Sequence, residues 1–191
     1  MSNAIWSILL AVVMTACHRD QSHLPPAHVD TVLINTMKDD LRCFLKSETI
    51  RINPNLHLQD IRTDSIKIFS DLLQKNALFF YFSRYQCGEC IDRELEYINA
   101  LYPNDRVIII GKEASKRHLT ILQKTKQIQQ PIYWMKPEYS FKMPWESLQR
   151  PIFFKVNSLG YPYNMYSPKF SYPQFSLEYH ATMSGKRLAN Q

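Results

Sequence analysis

The chain has 191 residues, 45% of them hydrophobic and 21% charged, with only 4 Gly, an ordinary globular profile that excludes a disordered or low-complexity protein. Its formal net charge is +6, yet neither an RNA-binding motif nor a basic helix with aromatic interleaving accompanies the excess, so no nucleic-acid partner is expected. The charge reads as a solvated basic face, with proximity to an anionic membrane as the alternative.

The chain opens "MSNAIWSILLAVVMTACHRD", almost uninterruptedly apolar over residues 4–16, with Arg19 as its first charged side chain. The run is short for a bilayer span, which takes ~20 residues, but it suits a signal-peptide core. Met14-Thr15-Ala16-Cys17 resembles a bacterial lipobox. That resemblance implies a signal peptide over 1–16, a lipidated Cys17 as the mature N-terminus, and a domain facing the periplasm or exterior from a bacterial envelope membrane. Several acyl chains on one residue make a stable anchor where a single chain binds only marginally. Residues 17–28, polar and broken by Pro25-Pro26, read as a tether. Residues 29–191 are the size of one domain with its own core, expected to be a monomer.

Val29, Val32, Leu33, Met37, Leu41 and Phe44 recur at three- and four-residue intervals, which predicts an amphipathic helix that packs Cys43. "TIRINPNLHLQDI" alternates like strand edges interrupted by Asn53-Pro54, and "DSIKIFSDLLQ" leads into a short helical turn. "ALFFYFS" is a continuous apolar run of strand length, "CIDRELEYINALY" has helical spacing through Ile91, Leu95, Ile98 and Leu101, and "RVIII" is again a buried-type strand. The three predict a βαβ unit with a parallel sheet. "ASKRHLTILQKTKQ" follows as a helix, "PIYWM" as a short strand, and "IFFKV", a turn at 157–160 and "YPYNMYS" as a hairpin. A last helix is expected over 176–188, with Gly185 as a possible earlier stop. Lys112, Lys116, Arg117, Lys124 and Lys126 are expected on one solvated helix face.

"YFSRYQCGEC" places Cys87 and Cys90 three apart at the start of the crossover helix. Residues three apart share a helix face with ~5–6 Å between Cβ atoms, near what a disulfide needs. Cys87 at the helix N-terminus meets orphan N–H groups and the macrodipole, which favour negative charge on sulfur, while Cys90 lies one turn inside. Three readings stay open: a working dithiol, a structural disulfide in a binding module, and two ligands of a zinc site. The last lacks a second Cys-x-x-Cys or a His-x-x-x-His to complete four ligands. His57, His118 and His180 are expected at the surface or in packing, and no metal site is expected. The aromatic stretch "YPYNMYSPKFSYPQFSLEY" reads mainly as strand and core packing, with a recognition surface as the alternative.

From about residue 55 to 183 the sequence resembles the thioredoxin-fold lipoproteins and TlpA-like thiol-disulfide oxidoreductases of bacterial envelopes, a branch related to the AhpC/TSA proteins. "NLHLQDIRTDSIKIFSDLL", "FFYFSRYQCGEC", "QQPIYWM" and "RPIFFKVNSLG" carry the resemblance. It implies an α/β, thioredoxin-like three-layer sandwich with an inserted βα unit and an N-terminal helix and hairpin extension, the extension covering about 29–54. It implies further that Cys87 is the nucleophile, Cys90 the resolving thiol, and Pro151 a cis-proline facing them, with Arg150 offering backbone to a substrate. The redox group is then the Cys87–Cys90 pair itself, with no separate cofactor. The partners are thiols and disulfides of envelope proteins and an electron donor the sequence does not name. A thioredoxin fold retained as a binding module is the alternative.

Gln86 stands where the family usually has Trp, and Tyr81 where an acidic or polar residue is common, so no buried carboxylate is evident to take the Cys90 proton. Glu89, inside the motif, is a candidate for tuning. Two unit charges ~4 Å apart in water interact by about 1 kcal/mol and a helix terminus offers ~0.3–1 kcal/mol, so Glu89 and the macrodipole roughly cancel at Cys87. A peroxidase reading fails because Phe80 and Arg84 occupy the Pro and Thr positions of the Pro-x-x-x-Thr-x-x-Cys site.

Overall fold

A computed structural model describes residues 30–73, 77–84, 86–102, 106–113 and 115–185. The signal segment, Cys17, the tether and the end of the expected last helix lie outside the described residues. Two compact units divide the chain after Asn35. The described part of the first, residues 30–35, begins helix α1 (Thr31–Ser47), whose Leu33 N–H donates to the Asp30 carboxylate at 3.0 Å.

In the second unit α1 buries Asp40, Cys43 and Ser47 and leaves Met37, Leu41 and Leu45 exposed. The apolar spacing therefore gives the right element but the wrong inward face. Asp40 is the reason: its carboxylate is bonded to Arg150 and to Lys169, and those bonds turn the Asp40 side of the helix inward. Cys43 is buried as expected, and burial raises its thiol pKa.

The remaining elements follow in the expected order. Strands β1 (His57–Asp60) and β2 (Ile66–Ile68) form an antiparallel hairpin that leads into the one-turn helix α2 (Phe69–Leu72). Then come β3 (Leu78–Ser83), α3 (Gly88–Leu101), β4 (Val107–Lys112), α4 (Lys116–Thr125) and β5 (Ile132–Trp134). A 3-10 turn (Pro144–Leu148), β6 (Ile152–Val156), β7 (Pro162–Tyr166) and α5 (Pro173–Ser184) complete the fold. The last helix starts earlier than its apolar spacing suggests because Pro173 occupies its first turn, and it stops at Gly185, whose φ of 70° suits a left-handed C-cap.

Seven strands make one sheet in the order β2-β1-β5-β4-β3-β6-β7. β3 and β4 are parallel over six residues, from Leu78 opposite Val107 to Ser83 opposite Lys112, as a βαβ unit requires. β6 runs antiparallel to β3, with Tyr81 opposite Ile152, so the sheet is mixed rather than parallel throughout. β5 pairs with β4 on the far side, which is the place of the inserted βα unit.

The continuous apolar runs reflect burial on both faces of this sheet. Phe79, Tyr81, Ile108, Ile110, Ile152 and Phe154 point to one core with Phe69, Phe141 and Trp145. Leu78, Phe80, Phe82, Ile109 and Phe153 point to the other, where Leu95 and Ile98 of α3 and Leu119 of α4 cover them. Gly111 is small because Leu119 lies against it: a Cβ there would come within 2.4 Å of the leucine side chain. Among the described residues no helix is long and apolar enough to cross a membrane.

Candidate functional site: the Cys87–Cys90 dithiol

β3, an interior strand, delivers the motif to the C-terminal end of the parallel pair, and the chain turns there into α3. Cys87 is the N-cap of that helix, and its Sγ accepts the Cys90 N–H at 3.3 Å. A thiol thus does the work that Ser or Asp usually does, satisfying an orphan N–H of the first turn. All three described cysteines are free thiols, with Cys87 exposed and Cys90 buried. Space is open beside Gly88, where an added Cβ would meet nothing within 4 Å. Glu89 is exposed.

Burial pushes the Cys90 thiol pKa up to about 12, helped by its interaction with Cys87 and by the Glu94 carboxylate, while Arg93 opposes the rise. The sign follows directly. The folded state favours the neutral thiol, so this contribution to the stability of the reduced protein is complete below the ordinary thiol range and is lost as pH rises through about 12. At neutral pH, limiting iodoacetamide is expected to modify Cys87 first. Cys90 and Cys43 are expected to follow only at alkaline pH or on unfolding, as peptide mapping by mass spectrometry would register. Faster labelling of Cys43 would contradict its burial.

Arg150 and Pro151 lie at the same end of the sheet as Cys87, because the Tyr81–Ile152 register carries the preceding proline past the C-terminal half of β3. The Arg150–Pro151 bond is trans, as are all the described peptide bonds, which corrects the cis form implied by the resemblance. Here the turn is made one residue earlier: Gln149 takes the left-handed conformation at φ 50° and ends the 3-10 turn. The Arg150 guanidinium is bonded to Asp40, so it is not extended toward the motif.

Two clefts share Ser83 and Arg84 in their walls. One, of about 300 Å³, is lined by Phe82, Gln86, Gly88, Ile91, Asp92 and His118 among others. The other, of about 530 Å³, is lined by Tyr81, Arg84, Lys112, Glu113, Glu146 and Gln149 among others. Lys112 belongs to β4 and approaches Glu146 at 3.9 Å, so it is not on the solvated face of α4 expected for it. Lys116 pairs with Asp64, and Lys126 contacts Asp92 at 3.0 Å and Glu96 at 3.5 Å.

Carboxylates that the sequence reading misses stand beside β3 and on α3. Tyr81, at the position where the resemblance leads one to expect an acidic or polar residue, donates its hydroxyl to Glu146 Oε1 at 3.2 Å. Glu94, one turn beyond Cys90 on α3, is fully buried. Its Oε1 accepts from Ser176 Oγ at 2.8 Å, and its Oε2 lies 2.9 Å from His180 Nε2. His180 is buried as packing was expected to leave it, but it is also a hydrogen-bonded member of this cluster, its Nδ1 lying 2.9 Å from the Tyr102 hydroxyl. The aromatic stretch is mostly packing, since Tyr166 and Tyr179 stack at 4.6 Å and lie against Phe153. Among the described residues no three His, Cys, Asp or Glu side chains converge to hold a metal ion.

A strand, a helix opened by Cys-x-x-Cys, a parallel strand, and an antiparallel hairpin closed by a helix, in the sheet order β4-β3-β6-β7, decide the architecture. The fold is thioredoxin-like.

No family model matches the sequence, and a search of curated proteins gives no significant match. Solved structures similar to the chain include a protein assigned as the thiol:disulfide interchange protein DsbE of Chlorobium tepidum, at 12% identity over 71% of this chain and 99% of that one, TM-score 0.49. A secreted thiol-disulfide isomerase of Corynebacterium glutamicum aligns at 13% identity over 69% of this chain and 84% of that one, TM-score 0.46. Peroxidoxin BcpB of Mycobacterium tuberculosis aligns at 13% identity over 73% and 99%, TM-score 0.46. Likenesses this distant add nothing to the strand order, which assigns the fold on its own.

Proposed function

We propose that the protein is a membrane-tethered, extracytoplasmic thiol-disulfide oxidoreductase that reduces or exchanges disulfides of envelope proteins through its Cys87–Cys90 dithiol. The observation that carries this reading is the inequality of the two thiols: Cys87 is exposed at the mouth of α3 and Cys90 is buried behind it. An exposed sulfur at a helix N-terminus can attack a substrate disulfide, and a shielded neighbour can then resolve the mixed disulfide by attacking Cys87 and releasing the substrate thiol. A substrate strand would lie beside Arg150 and Pro151. With the Arg150 side chain held by Asp40, its backbone is the part left to offer. The pair would act as a reductant or exchanger fed by a dedicated donor.

Insulin reduction by dithiothreitol tests the exchange activity: catalysis is expected from the purified protein, and its absence at any pH between 6 and 9 would remove the reading. The anchor is tested separately. Metabolic labelling with palmitate is expected to mark the protein, and Cys17→Ser is expected to abolish the label; a labelled variant would contradict lipidation at that residue.

The alternative, a non-catalytic binding module, draws on the Arg150 side chain being engaged by Asp40. Retained binding with no redox dependence would favour it.

A further inference from the structure

Two rows of side chains line the outer side of α1. Met37, Leu41 and Leu45, four apart, are 49%, 57% and 56% exposed, an apolar strip on a helix whose buried residues are Asp40, Cys43 and Ser47. The adjoining row, one residue further on, is Lys38, Arg42 and Lys46, all exposed. Asp39, the one exposed acid of α1, reaches Arg42 at 3.6 Å and stands on the far side of the basic row from the apolar one. Met37 and Leu41 also wall an apolar cleft of about 280 Å³ with Phe44, Tyr166 and Phe175, so the strip continues onto β7 and α5. An apolar strip with a basic margin is the pattern of a helix that lies in a membrane interface, its apolar side chains entering the acyl boundary and its cations meeting anionic headgroups.

We propose that this face of α1 docks on an anionic lipid bilayer, an inference that rests on the reading of Cys17 as a membrane anchor. Residues 18–30 separate that cysteine from α1 and reach at most roughly 45 Å at full extension, so the helix is the first described element that the tether brings to the surface. A link that short holds the helix there at an effective concentration on the order of millimolar, and a weak interfacial affinity then suffices. Charge decides the occupant. Two copies pairing through the apolar strip would bring both sets of Lys38, Arg42 and Lys46 to one seam, where like charges repel. An anionic bilayer instead complements the basic margin and takes the apolar row, and the net charge of +6 adds to the attraction. Docking also orients the domain. Asp40, on the buried side of α1, bonds Arg150, so the Arg150–Pro151 segment lies about one helix diameter, ~10 Å, from the headgroups. The substrates it favours are therefore disulfides held close to the same surface.

The test uses the full chain reconstituted by detergent removal into vesicles of phosphatidylcholine and phosphatidylglycerol that contain a trace of phosphatidylcholine carrying a diazirine near its glycerol. After photolysis, lipid adducts are mapped by mass spectrometry. Adducts are expected on residues 37–45, and they should fall about tenfold in vesicles of phosphatidylcholine alone and in the triple variant Lys38→Gln, Arg42→Gln, Lys46→Gln. Leu41→Glu with Leu45→Glu should remove them. The control Lys67→Gln, Arg117→Gln, Lys124→Gln, which deletes three exposed cations elsewhere, should leave them unchanged. Wild-type vesicles with no adduct on residues 37–45 overturn the proposal, whether α1 is then free or cross-linked to a second copy, and so do adducts equally abundant in neutral and anionic vesicles. The wild-type maps decide even where a variant does not fold. Failure of the anchor reading looks different: alkaline carbonate would strip the chain from the membranes of the cells that make it, whether or not α1 carries adducts in the vesicles.

Discussion

Cys87→Ser is expected to remove disulfide exchange to the level of the uncatalysed reaction, while Cys90→Ser should still form, but fail to resolve, a mixed disulfide. The distinction follows from placement. Cys87 is exposed where a substrate sulfur can approach and Cys90 is buried behind the first turn of α3. Removing the nucleophile therefore leaves a thiol that no substrate reaches, and the loss should be about 10³-fold or more, the scale seen when an essential nucleophile is removed. Removing the resolving thiol leaves the first step intact and traps its product. Insulin-reduction rates and non-reducing electrophoresis against a disulfide-containing target measure the two outcomes. Equal exchange activity in both variants would mean that the pair is not the site of chemistry.

Phe154→Ala is expected to cost about 3–5 kcal/mol of stability, the usual range for a large aromatic in a core. Phe154 has no exposed surface. Its ring stacks on Trp145 at 4.9 Å and on Phe79 at 5.3 Å, and Phe141 meets it edge-on at 5.8 Å. Deleting it opens a cavity between β3, β6 and the 3-10 turn, where rings on three sides limit collapse. A urea titration should show the midpoint falling with little change in slope. A shift equivalent to under about 1 kcal/mol would mean that the aromatic cluster repacks freely, against the density expected of an interior.

Most of the architecture is legible in the sequence because the sheet is buried on both faces. "ALFFYFS" and "RVIII" are uninterrupted where a one-sided sheet would alternate, and a Cys-x-x-Cys between such runs fixes the start of the crossover helix. The errors occur where long-range electrostatics overrides local pattern. Asp40 looks like a surface residue of an amphipathic helix, but its partners Arg150 and Lys169 are 110 and 129 residues away, and they reverse which side of α1 faces inward. Lys112 reads as helical because it adjoins a basic helical stretch, whereas β4 continues through it. Glu94 carries a signal that was available: positions 90, 91, 94, 95 and 98 form one helical stripe, and a lone acid within such a stripe must be partnered. Its partners, Ser176 and His180, lie on α5, more than eighty residues away in sequence, so their identity is not legible from spacing.

Equilibration of the protein with glutathione redox buffers, read by mass spectrometry of acid-quenched and alkylated samples, tests the central claim most directly. The account predicts one two-electron transition joining Cys87 to Cys90, with Cys43 unchanged, at a potential below roughly −200 mV on the scale where thioredoxin lies near about −270 mV. A potential above about −150 mV would contradict the reductant assignment, and the absence of any Cys87–Cys90 disulfide across the range would contradict the dithiol itself.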